Sequence, residues 1–548
     1  TCAGEFEAIS PYYYSTYDYY DEVKISNKKK VIVIGSGPIR IGQGIEFDYC
    51  TVHSILALKE KGLETIIINN NPETVSTDFT IADKLYFEPL TIEDVMGVIR
   101  KENPLGVILQ FGGQTSIKLA KELSEKNIKI IGTSANSINT AEDREKFDKL
   151  MDKLNILKPN GKAIWSISDA CEIAIKIGYP VLVRPSYVLG GQGMEICYDE
   201  ENLIKYLNDA FEKDKSNPVL IDKYLNGIEV EIDAICDGEN VLIPGIMEHL
   251  ERAGIHSGDS MTVCPPQHLN QKTINDICNI TNKIAKSLNV VGMINIQFIA
   301  FENDIYVIEV NPRSSRTVPY ISKITGIPIV EIATKVSLGE KLKDMPYGIG
   351  LNNNIKLVAV KVPVFSTEKI DGVEISLGPE MRSTGEVLGV GRDYNEAMYK
   401  GLLGLNKNYD IENKKNLRAL VTLKDKDKHE FLSLARKMQN LGYKIFTTEG
   451  THLYFLKNGI KTTRIDKLDK NNNKNGILEK LKNREVNFLI NTPTKVNDAQ
   501  RDGFKMRRTA IEHGVEVFTS LDTFKVLLEI QEKLMSISEI NIYDINNI

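Results

Sequence analysis

Short apolar runs that end in turn residues recur along the first part of the chain. Residues 31–34 form one and stop at Gly35-Ser36-Gly37; residues 65–68 form a second and stop at Asn69-Asn70-Asn71-Pro72. Residues 106–109 and 128–131 continue the series, with a helical stretch around 53–61. Short, fully apolar strands alternating with helices predict a parallel sheet with helices on its faces. The pattern changes near residue 142. Strand-like runs at 181–183, 219–221, 230–235, 294–300 and 305–310 accompany a helix marked by Ile277, Ile280, Ile284 and Leu288. Residues 406–416 are polar and read as a linker. Runs at 419–423, 444–446, 488–490 and 515–518 then restore the α/β alternation, around a polar loop at 471–475.

The expected architecture is multidomain, α/β and α+β: an α/β domain over 28–141, a mixed domain over 142–410 and a second α/β domain over 417–548. Residues 1–27, with Tyr12, Tyr13, Tyr14, Tyr17, Tyr19 and Tyr20, read as a connector from a preceding domain. A length of 548 residues agrees with about three or four domains.

Composition narrows the class. With 42% hydrophobic and 26% charged residues, the chain reads as a soluble globular protein. A net charge of −6 argues against a broad nucleic-acid surface, which needs clustered Lys and Arg. No apolar run has the length of a membrane span. The start, Thr1-Cys2-Ala3-Gly4-Glu5, lacks the basic and apolar regions of a signal peptide and lacks Met, so a piece of a longer chain or a processed product is expected. The 7 cysteines contain no C-x-x-C pair, which fits a reducing, cytoplasmic setting.

The segment 294–316 carries the sharpest chemistry. With a hairpin loop at 302–304, Phe301 faces Ile305 and Gln297 faces Glu309, while Asn311 shares the face of Glu309. Gln297, Glu309 and Asn311 offer hard oxygen ligands suited to Mg²⁺ or Mn²⁺ carrying nucleotide phosphates. Arg313 and Arg316 follow and suit an anionic acceptor and the transferring charge. A second segment, 181–195, ends a strand at Arg184 and continues into Gly190, Gly191 and Gly193, which read either as a phosphate cradle or as a plain hairpin. The stretch 245–260, with Glu248, His249, Glu251, His256 and Asp259, reads as a loop lining a nucleotide pocket. The glycine-rich turn at 35–44 lacks the spacing of a dinucleotide fingerprint. In the last domain, residues 447–451 and 491–494 follow strands and suit an anion, with Lys428 and Lys467 as added charge.

At these residues a resemblance emerges. GSGPIRIGQGIEFDYC, NNNPETVSTDF, VRPSYVLGGQGMEI, MEHLERAGIHSGDS, EVNPRSSRTVP and GPEMRSTGEV resemble the large subunits of carbamoyl-phosphate synthetases, and specifically their C-terminal, carbamate-phosphorylating half. The likeness is dense to about residue 400 and looser over 417–548. It implies a Rossmann-like pre-ATP-grasp domain, an ATP-grasp domain and a regulatory domain similar to methylglyoxal synthase. It implies phosphorylation of carbamate by ATP with two Mg²⁺ or Mn²⁺ ions. By the same resemblance Arg144 and Arg184 touch nucleotide phosphates, Lys223, Leu225 and Glu229 hold base and ribose, and Gly254, Ile255, His256 and Ser257 line the nucleotide site. Gln297, Glu309 and Asn311 bind the metals, and Arg313 and Arg316 orient carbamate and the phosphoryl group. Lys428, Thr448, Thr451, Lys467, Asn491 and Thr492 match positions that bind nucleoside monophosphate effectors in relatives, while Pro493 departs from the hydroxyl some of them carry, which leaves the identity of the small-molecule allosteric effector open. Ala359 stands where some relatives carry a glutamate for ornithine. The implied partners are the N-terminal, bicarbonate-phosphorylating half and a glutaminase small subunit, in an oligomer. Another ATP-grasp ligase and a non-catalytic regulatory half are the alternatives.

Overall fold

A computed structural model describes residues 11–17, 19–40, 44–185, 193–213, 217–366, 374–405, 417–466, 476–492, 502–533 and 540–545. The expected linker at 406–416, the loop at 471–475, Gly190, Gly191 and Lys467 lie outside the described residues.

The first sheet is parallel and five-stranded, in the order Tyr12–Tyr13, Lys84–Phe87, Glu64–Asn69, Lys30–Ile34, Val107–Ile108. Helices cover its central strands, so Val31–Ile34 and Ile66–Ile68 are sealed from solvent, as a run apolar on both faces requires. One expectation fails here, and one strand is not among those expected. Residues 128–131 contribute only the bridge between Ile130 and Val107. The strand Lys84–Phe87 escapes sequence reading because it carries Lys84 into the interior, where the ammonium meets Glu102 at 2.9 Å. Tyr12 and Tyr13 join this sheet and pack against Phe87 and Tyr86, with ring centroids 5.4 and 5.3 Å apart.

The middle of the chain builds two bodies. A small four-stranded antiparallel sheet (Gly161–Ile164, Val219–Lys223, Val181–Pro185, Glu195–Cys197) carries the helices Ile167–Ile177 and Glu200–Lys213 on one apolar core. A nine-stranded sheet runs Asp304–Asn311, Val291–Phe301, Ile228–Asp237, Ile246–Arg252, Thr262–Cys264, Val358–Val364, Gly385–Gly391, with Val241–Ile243 and Gly350–Leu351 beside that path. The helix Gln271–Ser287 buries Ile277 and Ile284 against it, matching the expected spacing.

The last domain is a parallel five-stranded sheet, ordered Thr463–Ile465, Lys444–Thr448, Arg418–Thr422, Phe488–Asn491, Glu516–Phe518. Its core, with Phe431 stacked between Phe455 and Phe524, is continuous with Val360 and Val362 of the large sheet. The described cysteines are free, and most are buried. Among the described residues no helix is long and apolar enough to cross a membrane.

Candidate functional site

The site grows from one hairpin. Gln297 does stand opposite Glu309, and Asn295 opposite Asn311, but not by the expected route. The turn is Glu302-Asn303, both at positive φ (50° and 72°), and Phe301 faces Asp304. That two-residue turn shifts the register by one. A bulge at Ile308, between the pairs Phe298–Val307 and Gln297–Glu309, shifts it back. Without the bulge Glu309 would pair across to the other face.

The next strand extends the pattern. Glu231 pairs with Gln297 and Asp233 with Asn295, so two polar rows cross three strands: Glu231–Gln297–Glu309 and Asp233–Asn295–Asn311. Asn295 Nδ2 donates to Glu231 and Asp233 at 2.8 and 3.1 Å; Asn311 Nδ2 donates to Glu309 at 2.8 Å. Burial, and then the Glu231 carboxylate, push Asp233 up from its ordinary value. Glu309, at the exposed end of its row, faces solvent. Sequence reasoning missed Glu231 and Asp233. Their signal was the alternation in 228–233, which sets Glu229, Glu231 and Asp233 on one face.

Asp233 also shapes the loop after the hairpin, accepting from Ser315 Oγ at 2.7 Å and Thr317 Oγ1 at 2.6 Å. That loop carries both arginines. Arg316 Nη2 pairs with Glu46 at 2.8 Å, and its Nη1 donates to Met381 Sδ at 2.9 Å; its Nε is buried with no partner. Arg313 turns toward the first domain: it donates to Gln114 at 3.2 Å and lies 5.8 Å from the Phe47 ring centre. Glu46 and Gln114 were likewise missed, since both lie about two hundred or more residues away in the chain and join the site only on folding. Gln110 pins the same loop by donating to Pro312 O at 3.1 Å and to Thr133 at 2.8 Å.

The expected nucleotide residues lie on the turn after the strand Ile246–Arg252, on the strand Ile228–Asp237 and beside the small sheet. Gly254 has φ +99°, and a Cβ there would come within 2.8 Å of Ile196 and 2.9 Å of Tyr224. Glycine is therefore required at this turn. Ile255 follows on the same partly buried turn. His256 Nδ1 accepts from Gly258 N at 3.1 Å; burial, then the charge of Arg316, hold its pKa down at about 4. Ser257 Oγ lies 3.4 Å from Gln297 Nε2, and its carbonyl accepts from the buried Lys361 at 3.0 Å. Glu229 accepts weakly from Gly254 N at 3.5 Å, and burial raises its pKa to about 7. Leu225, Ala253 and Ile299 form a small apolar floor, extended by Phe301, Tyr306 and Ile308. Arg144 and Arg184 converge on Asp222 at 2.7 and 3.6 Å. Lys223 is committed to the carbonyls of Gly178 and Tyr179, at 2.9 and 3.1 Å.

The stretch 245–260, expected as one loop, is the strand Ile246–Arg252 with a turn after it, and its side chains divide: His249 lies 3.5 and 3.6 Å from Glu229 and Glu231, and the carboxylates turn elsewhere. Glu248 pairs with His268, Glu251 with Ser260 and Thr523, and Asp259 accepts from the amides of Arg382 and Ser383. Ala359 packs beside Cys264 in the interior. Val360 and Val362, not Ala359, share the apolar cluster of Met261, the neighbour of Glu251.

The effector candidates line one end of the last sheet. Thr448, Asn491 and the adjoining Thr492 lie at the carboxyl ends of parallel strands, and Thr451 is buried in the helix Glu449–Lys457. Lys428 Nζ pairs with Asp425 at 2.5 Å and lies 3.7 Å from where a Cβ on Gly450 would sit.

Family models match three stretches of the chain. Residues 27–140 match the carbamoyl phosphate synthase preATP-grasp domain, 143–345 the ATP binding domain of the carbamoyl-phosphate synthase L chain, and 430–519 the MGS-like domain. The carbamoyl phosphate synthase large chain of Clostridium botulinum (strain Langeland) is 60% identical over 547 residues, covering 100% of this chain and 51% of the relative. That of Clostridium perfringens (strain SM101) is 58% identical over 545 residues, with the same coverage. The chain spans about half the length of the curated relatives it matches. Among solved structures, the biotin carboxylase domain of Hydrogenobacter thermophilus 2-oxoglutarate carboxylase, in complex with MgADP, ADP and bicarbonate, aligns with a TM-score of 0.54 at 21% identity, over 69% of this chain and 90% of that one. That likeness shows the fold, an ATP-grasp body preceded by its α/β domain. The domain matches and the whole-length identity have one meaning: the chain belongs to the carbamoyl phosphate synthase large-chain family.

Proposed function

We propose that this chain is the carbamate-phosphorylating half of a carbamoyl phosphate synthase large chain, divided at 28–141, 142–410 and 417–548. The observation that carries the reading is the pair of polar rows ending at Glu309 and Asn311, set between the arginine loop and the Gly254–Ser257 turn. The donor set fits magnesium: one exposed carboxylate and two amide oxygens on one sheet face leave room for phosphate and water. Bound there, one or two Mg²⁺ ions, or Mn²⁺, would neutralise the nucleotide phosphates. Gln297, Glu309 and Asn311 hold them; Arg144 and Arg184 take the phosphate tail in exchange for Asp222. Leu225 and its apolar floor take the base, with Lys223 and Glu229 at its edge.

A carbamate oxygen attacks the γ-phosphorus in line, its bond to the β,γ-bridging oxygen breaks, and carbamoyl phosphate and ADP result. No protein nucleophile takes part. The chain's contribution is positioning and charge. Arg316, with a buried Nε still to be satisfied, suits the transferring group; Arg313, shielded beside Phe47, suits the carbamate side. Carbamate is to come from the remainder of the large chain, made from bicarbonate and ammonia, and ammonia from a glutaminase small subunit. The Lys428–Thr451 and Asn491–Thr492 edge, with Lys467, is the proposed effector site.

The reverse reaction tests the reading without any supply of unstable carbamate. The purified chain with Mg·ADP and carbamoyl phosphate is expected to form ATP, and Glu309→Gln to lower that rate by about 10²-fold or more. A folded, nucleotide-binding wild type that forms no ATP overturns an autonomous active site and leaves a partner-dependent half or a regulatory half.

A further inference from the structure

One short segment, residues 374–383, touches three parts of the molecule that are distant in sequence. At its start Glu374 meets Arg507 of the last domain through both carboxylate oxygens, Nε donating at 2.9 Å and Nη2 to the other oxygen. Glu374 also accepts from the amides of Ile375 and Ser376 and from Ser376 Oγ, at 2.8 to 2.9 Å, so the carboxylate shapes the segment that follows. In the middle, Leu377 N donates to Thr519 Oγ1 of the last domain at 3.1 Å, and Gly378 O accepts from His256 N at 2.8 Å. Farther on, Met381 Sδ takes Arg316 Nη1. At the end, the amides of Arg382 and Ser383 donate to Asp259, and Ser383 Oγ donates to Gly258 O at 2.9 Å. Arg382 Nη1 closes the loop by donating to the carbonyl of Glu374.

Arg507 is 3% exposed, and its remaining arm, Nη1, donates to Asn491 Oδ1. A single buried guanidinium therefore joins a residue of the proposed effector edge to the carboxylate that anchors this segment. The other contacts of the segment lead to His256, Gly258, Asp259 and Arg316. A planar guanidinium with fixed donors does not reorient toward one acceptor without changing its geometry to the other.

We infer that residues 374–383 are a positioning strap, and that Glu374 and Arg507 are the positioning residues through which occupancy at Asn491 is coupled to the nucleotide turn and Arg316. The inference rests on the nucleotide and effector assignments above, and it adds the physical link between them. Neither Glu374 nor Arg507 touches the reacting atoms; both act through His256 and Arg316. Coupling by such a link is reciprocal: a ligand at Asn491 changes Mg·ADP affinity by the factor by which Mg·ADP changes that ligand's affinity.

The test uses the whole chain, calorimetry and amide hydrogen exchange. The probes are Mg·ADP and two nucleoside monophosphates, UMP and IMP. In the wild type one monophosphate is expected to change the Mg·ADP Kd by about fivefold or more and to alter exchange at the amides of His256, Arg382 and Ser383. Glu374→Gln changes no residue of the proposed effector edge. It should bind the monophosphate within about twofold of wild type yet lose both responses. Thr519→Val, which removes only the Leu377 anchor, should reduce them, and it serves if Glu374→Gln does not fold. Full coupling in both folded variants overturns the inference, as does a wild type that binds both ligands independently with unchanged exchange. Failure of the functional reading is visible separately, as absent Mg·ADP binding in the first titration, while the exchange response to monophosphate still reports on the strap.

Discussion

His256 sits where the Gly254–Ser257 turn, the segment 374–383 and Arg316 meet. Its amide is held by Gly378 O and its ring by Gly258 N. Burial and the adjacent guanidinium depress its pKa to about 4, so the imidazole is neutral through the physiological range. In the unfolded chain it titrates near an ordinary value of about 6.5. Between these two values the unfolded chain takes up a proton that the folded chain refuses. The stabilising contribution is complete above about pH 6.5 and is lost as pH falls toward 4. Thermal midpoints recorded across that window should fall more steeply for wild type than for His256→Gln. Parallel curves would show that the ring titrates normally in the folded state. Glu229 works in the opposite sense. Burial raises it to about 7, so its contribution is complete below its unfolded value of about 4.5 and fades as pH rises through 7.

At the scale of elements, the hairpin and the loop after it decide the site. The period of two along residues 294–311 was legible in the sequence, and with it the shared face of Glu309 and Asn311. The register was reached through two compensating features, a tighter turn and the Ile308 bulge, which hydropathy does not distinguish from a longer loop and a regular strand. The loop at 312–317 is held from the first domain by Gln110, a residue 1% exposed. Gln110→Leu keeps the volume but leaves the Pro312 carbonyl and the Thr133 hydroxyl without this donor. A cost of about 1–3 kcal/mol is expected, with the arginine loop loosened. Differential scanning calorimetry should show a lower midpoint, and the reverse-reaction rate should fall with it. An unchanged midpoint would mean that the loop is held without this side chain, by Asp233 with Ser315 and Thr317 and by the Ser314 amide on the Gln110 carbonyl.

At the scale of the whole molecule, the last domain is tied to the ATP-grasp body at several places. Arg252 reaches both Asp522 and Glu430, Thr523 donates to Glu251, and Arg507 meets Glu374. The Arg252 contacts are partly exposed, and solvent screens them. The continuous apolar core through Val360, Val362, Phe431 and Phe524 is the stronger tie. A ligand that binds only the folded site stabilises the molecule by mass action, by about 2.7 kcal/mol at a hundred times its Kd. ADP with Mg²⁺ should therefore raise the thermal midpoint of the wild-type chain, and chelation with EDTA should remove most of that rise. In Glu309→Gln the metal-dependent part should shrink. An equal shift by ADP with and without metal would count against metal binding at Gln297, Glu309 and Asn311.

Sequence alone determined the division into α/β and mixed parts and the candidate ligands of the hairpin, because strand and helix periods and the order of motifs are local properties of the chain. The family resemblance was legible for the same reason. Only the tertiary structure decided which distant residues complete the site: Glu46 and Gln114 from the first domain, Glu231 and Asp233 from a neighbouring strand, Lys361 beneath Ser257, and Glu374 joined to Arg507. Each is a polar side chain whose role is set by what burial brings beside it. In the sequence it is indistinguishable from the charged residues that face water.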